Sequence, residues 1–180
     1  MPMPPRLRDL ALTAHVTASV GWLGAVVAYL TLVGAALTRE DGGTVRAVWT
    51  ALEVTGWYAI VPLALASLLT GLVMSLGTQW GLFRHYWVLF KLLLTVFATL
   101  VLLGHMPAVS AMAGVAAGTA SPAADLRGFD GELLHAGGGL VVLVVTTVLS
   151  VFKPRGTTRY GRRKQLERPR LDQGAPPHAA

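Results

Sequence analysis

Four stretches of this chain, 10–38, 54–83, 92–124 and 133–152, contain no Asp, Glu, Lys or Arg, and each is 20 residues or longer. A helix crosses the roughly 30 Å hydrocarbon core of a bilayer with about 20 residues. The runs are too long for strands of a core sheet. They also lack the alternating pattern of an outer-membrane barrel, whose strands run to about 10 residues. Composition agrees, with 53% hydrophobic residues against 13% charged and a mean hydropathy of +0.57. That excludes a soluble domain of this size, and equally a disordered chain, which needs low hydrophobicity. The first run far exceeds the roughly 7–15 apolar residues of a signal peptide, so it is read as a retained span. Cysteine is absent, which rules out disulfides, thiolate metal sites and thiol catalysis.

The net charge of +6 is local: eight of the fifteen basic residues lie after residue 152, against only Glu167 and Asp172, while residues 1–152 are balanced. A basic tail directly after a transmembrane helix marks a cytoplasmic end and attracts anionic lipids, a better account of the charge than nucleic-acid binding. With four spans the N-terminus is then also cytoplasmic, in agreement with Arg6 and Arg8 before the first helix. The sequence thus predicts an all-α, four-transmembrane-helix bundle over 1–152 with N- and C-termini cytoplasmic, as a multi-pass protein of a bacterial inner membrane. A basic, mobile cytoplasmic tail is expected over 153–180.

Helices are expected at roughly 10–37, 48–76, 86–106 and 132–152. Asp41, Gly42 and Gly43 break the chain after the first, Gly77 through Gly81 after the second, and Pro107 follows the third closely, while Pro154 stops the fourth. Pro62 predicts a kink inside the second helix. Residues 108–124 are mostly Ala, Gly, Ser and Val; they either extend the third helix past a kink or form a separate interfacial segment. Trp57, Trp80, Trp87 and Tyr86 read as interface anchors.

Titratable side chains inside lipid are costly unless compensated, which singles out His15, Glu53, Lys91, His105, Glu132 and His135. His105 ends the third span and His135 begins the fourth, so both lie in the outer half as a facing pair. His15 lies on the inner side near Lys91, Arg84 and His85. Imidazoles at matched depth on different helices are what a b-type haem needs for its two axial ligands. Gly139, four residues after His135, shares its helical face and would admit a flat ligand. Glu132, one turn before His135, is placed to accept its ring proton, and Arg127 or Arg46 to meet propionates. The same two histidines with a carboxylate also suit copper or zinc. The bland alternatives are interhelical hydrogen bonding by each His, glycine packing at 137–139, snorkelling of Lys91, and interfacial solvation of Glu53 and Glu132.

The pattern His15-Val-Thr-Ala-Ser-Val-Gly-Trp22-Leu-Gly24 resembles the opening helix of several bacterial membrane families: the CopD copper-resistance type, the HemJ-type protoporphyrinogen oxidases, and an uncharacterised family of four-helix integral membrane proteins common in actinobacteria. Trp87 through His105, with Lys91 in Phe-Lys-Leu-Leu-Leu, is similar to the third helix of the HemJ type. That resemblance implies haem-associated roles for His15 and Lys91. The connection from Leu37 is short and neutral where HemJ-type proteins carry a basic, aromatic-rich one, and no Met-rich copper motif is present. The uncharacterised family, which implies no activity, is therefore the nearest in pattern.

The functional expectation is a membrane electron-transfer protein with haem b on His105 and His135. His15 would mark an inner site for a second haem, a quinone or another redox partner. The alternatives are a HemJ-like oxidase acting through His15 and Lys91, copper handling by the histidines with Glu132, and a scaffold packed through faces such as Gly114 and Gly118.

Overall fold

In the computed structural model, residues 3–39, 41–77, 85–118, 126, 128–152 and 158 are described. They form α1 (Pro5–Thr38), α2 (Gly42–Thr55), a π-helical turn (Gly56–Ile60), α3 (Val61–Gly77), α4 (Tyr86–Ala117) and α5 (Asp130–Phe152). The second span is α2, the π turn and α3 run together. Four helices are thus long and apolar enough to cross a membrane. Apart from Thr158, the expected tail lies outside the described residues, as do Arg84, Arg127, Trp80 and residues 119–125.

Only 17–28% of the most apolar window of each span is buried within the chain. Leu76, Leu134, Val151 and Phe152 project outward. In water this much exposed apolar surface would drive aggregation, whereas lipid solvates it.

In α1 the buried residues are Ala18, Trp22, Val26, Tyr29, Val33 and Ala36. Their three- and four-residue spacing makes one stripe that faces the bundle interior. The second span starts six residues before the position expected from sequence. Asp41 is the reason: its side chain accepts the Thr44 N–H at 2.7 Å, capping α2 where the sequence reads as a break. The early start moves Trp57 to the middle of the span, so it is not an interface anchor; its Nε1 donates to Ser110 Oγ of α4 at 3.0 Å.

The kink expected at Pro62 is realised as the π turn. The Val61 N–H bonds to Gly56 O, five residues back. Proline offers no N–H, and its ring crowds the carbonyl four residues before it, so widening the preceding turn relieves the clash. Gly56 serves a second purpose. A Cβ there would lie 2.5 Å from Met106 Cε and 2.7 Å from Sδ, so glycine lets this buried methionine of α4 sit against the turn in its present rotamer.

Pro107 does not end the third span. α4 continues to Ala117, which settles the course of 108–117 as helix. Arg46 of α2 donates to the carbonyls of Ala116, at 2.9 Å, and Gly118, where unpaired C=O groups and the negative end of the helix dipole favour a cation. Beyond the gap, Leu126 and Phe129 are fully buried. Trp49 holds them, donating from Nε1 to Leu126 O at 2.8 Å and stacking on the Phe129 ring at 4.7 Å.

α1 packs on the second span and on α5, and α4 packs on the same two neighbours. The helices run up-down-up-down, so α1 and α4 face each other across the middle of a four-helix square.

Candidate functional site

The interior between α1 and α4 holds a cavity of about 50 Å³, walled mainly by apolar side chains, with Trp22 and Tyr29 of α1, His105 and Met106 of α4, and His135 and Gly139 of α5 on its surface. The stripe of α1 that buries Trp22 also buries Tyr29 two turns later. α5 begins where Phe129 is anchored on Trp49, and this fixes Glu132 and His135 in its first two turns.

Glu132 is the centre of the polar contacts. Its side chain is buried, yet it is fully engaged. Tyr29 donates its hydroxyl to Oε2 at 2.6 Å. His105 Nε2 lies 3.0 Å from both Oε1 and Oε2. An ionised carboxylate only accepts, so in that state Nε2 carries the proton. Three spans thereby meet on one carboxyl group. Such a group would be very costly in hydrocarbon without partners.

His105 and His135 are brought together, but not as a pair facing an open gap. Their rings are stacked, with centroids 3.9 Å apart and planes inclined by 14°. Axial ligands of one iron stand on opposite faces of the macrocycle, so a haem between these rings requires them to separate. Among the described residues no group of three or more His, Cys, Asp or Glu side chains is arranged to hold a metal ion.

Glu132 serves His105 rather than His135, which corrects the expectation from the one-turn spacing. Both residues point into the bundle, but the carboxylate reaches past its own helix to donors on α4 and α1. Gly139 does share the face of His135, and a Cβ there would meet nothing within 4 Å. The same holds at Gly137, Gly138 and Gly114, so none of these glycines marks a tight helix contact within the chain. Arg46 is committed to the end of α4.

The second expected cluster is looser. His15 Nδ1 lies 3.1 Å from Ser67 O and 3.1 Å from Thr70 Oγ1 of α3, with Ser19 and Ser67 hydroxyls bonded at 2.8 Å beside it. The Thr70 hydroxyl is itself donated to Ala66 O at 2.6 Å, so Nδ1 is the donor to this group. Gly71 makes room, since a Cβ there would lie 3.1 Å from the His15 ring. Lys91 donates to Ser150 Oγ of α5 at 2.6 Å; it ties two helices rather than snorkelling. His15 therefore clamps α1 to α3 and Lys91 clamps α4 to α5, with no hydrogen bond between the two among the described residues. His85 stands just before the first turn of α4, its ring 6.4 Å from that of Trp87. Glu53 is half-buried on α2 and does not border the cavity.

Two residues of the site were missed from the sequence: Tyr29 and Trp22. A signal was present, because His15, Trp22 and Tyr29 recur every seven residues and so share one face of α1. Trp22 is 3% exposed, and its Nε1 is a buried donor with no hydrogen-bond partner among the described residues.

No family model, no curated protein and no solved structure matches this chain, so the motif resemblance of α1 and α4 rests on the quoted residues alone.

Proposed function

We propose that this integral membrane protein holds and exchanges a proton inside the bilayer, at Glu132 and His105, in the service of a redox-active molecule beside them. The observation that carries the reading is the buried carboxyl group of Glu132 set between a phenol and an imidazole. Along the 3.0 Å contact, one proton converts carboxylate and imidazolium into carboxylic acid and neutral imidazole. In a medium of low dielectric the neutral pair and the hydrogen-bonded ion pair are close competitors, because desolvation offsets the Coulomb attraction. A change of charge nearby then moves the proton. Tyr29 orients the carboxyl and stabilises its ionised form. His135, stacked on His105, carries the contact to the cavity wall. We assign both termini to the cytoplasm of a bacterial cell, on the basic tail, with anionic lipid headgroups as its neighbours.

Potentiometric titration of the full chain in lipid nanodiscs tests this. Wild type is expected to bind one proton that Glu132→Gln does not. Superimposable wild-type and Glu132→Gln curves would overturn the reading.

A second reading keeps b-type haem on His105 and His135. Two imidazoles from neighbouring helices at an apolar cavity favour it, while their face-to-face contact opposes joint ligation of one iron. An oxidised-minus-reduced visible spectrum with pyridine haemochrome and copper analysis separates the two. A Soret band that alanine at either histidine removes supports haem; copper without that band supports metal handling.

A further inference from the structure

We propose that the cavity between α1 and α4 binds the ring of a lipid-soluble quinone, with Trp22 as the donor to a ring carbonyl oxygen. The proposal deepens the proton-handling reading by naming the molecule served. It takes from that reading the fate of the proton, but not the binding.

Five observations bear on this class of ligand. Trp22 Nε1 is buried without a partner, and an unpaired buried donor costs about 1–3 kcal/mol, which an incoming acceptor recovers. The ring nitrogens of His135 have no hydrogen-bond partner among the described residues, and His135 borders the same cavity. The ligand thus has polar atoms offered to it from α1 and from α5. Apart from Tyr29 and His105, the rest of the wall is apolar and lies within the spans, so the occupant arrives from lipid. Gly139 leaves its stretch of wall open, with nothing within 4 Å of a Cβ, as the approach of a flat ring requires. The cavity is partly open and its enclosed volume of about 50 Å³ is below the roughly 150 Å³ that takes a benzene ring, so it seats the carbonyl edge of a ring and not a macrocycle.

The competing occupants fit less well. An acyl chain leaves the indole N–H unpaired. Water is the strongest competitor, since Trp22 and His135 offer it two partners; the absence of quinone binding above the blank is the outcome that favours it. A quinone carries acceptors for the indole and the imidazole.

The test is saturable binding of tritiated short-chain ubiquinone to the full chain in quinone-free nanodiscs, with protein-free nanodiscs as the partition blank. Wild type is expected to bind one molecule per chain. Gly139→Leu fills the open wall without touching a donor, and is expected to lose binding by tenfold or more. Trp22→Phe is expected to weaken it about fivefold, one hydrogen bond's worth. An alkylbenzene with the same tail but no carbonyls is expected not to compete, and this measurement on wild type stands even if a variant fails to fold. No binding above the blank, equal competition by the alkylbenzene, or full binding by folded Gly139→Leu would each overturn the proposal. Glu132→Gln, assayed alongside, separates the two readings: quinone binding without a titrating Glu132 removes the proton relay alone, and a titrating Glu132 without quinone binding removes this proposal alone.

Discussion

Tyr29 and Glu132, 103 residues apart in sequence, meet at 2.6 Å in the bundle interior, the phenol of α1 donating to the carboxyl group of α5. The contact joins the first span to the last and presents the carboxyl group to His105 of the third. Removing the phenol oxygen alone, in Tyr29→Phe, is expected to destabilise the bundle by about 1–2 kcal/mol. Reversible unfolding in mixed micelles measures it. Glu132→Ala is expected to cost more, because it strands two donors where Tyr29→Phe strands none.

Gly56 and Met106 form a coupled pair. Gly56→Ala puts a methyl group within van der Waals overlap of the Met106 side-chain end, and Met106, which borders the cavity, relieves it only by turning into that space. A loss of about 1–3 kcal/mol is expected. Shortening the partner relieves it, so in the cycle with Met106→Ala the two effects are expected to be clearly non-additive.

Arg46 closes the last turn of α4. Arg46→Met keeps the apolar stem and removes the donors, and is expected to cost about 1 kcal/mol and to raise amide exchange over 113–117. Unchanged exchange there would show that the carbonyls are served by something else.

Asp41 sets a pH dependence at the start of α2. The Thr44 N–H bonded to its carboxylate holds its pKa below the usual aspartate value. A depressed folded-state pKa means a stabilisation that is fully present above the unfolded pKa and fades as pH falls through the folded value. Wild type is therefore expected to lose order in the first turn of α2 below about pH 4. Asp41→Asn, which still caps but does not titrate, is expected to hold it, as read from exchange at 44–46.

The four spans were legible in the charge-free runs because lipid leaves a chain no other way to satisfy its backbone. Their ends were less so. Asp41-Gly-Gly read as punctuation, although an Asp three residues before Thr44 is a capping signal; Pro107 left the course of 108–124 open, because neighbouring helices tolerate a proline within a span. His105, His135 and Glu132 were legible as costly residues in lipid. That His105 and His135 meet was legible as well; that Glu132 bonds to His105 rather than to His135 was not, since it depends on which way each side chain leans across the bundle. Tyr29 escaped because a tyrosine is not conspicuous in a membrane helix until a carboxylate is opposite it.

The most direct measurement is the infrared difference spectrum between acidic and neutral pH of the protein in nanodiscs. The account predicts a protonated-carboxyl band that vanishes in Glu132→Gln and moves in frequency in Tyr29→Phe and in His105→Asn, because both partners bond to that group. A band that persists in Glu132→Gln, or one that neither partner substitution moves, would contradict it.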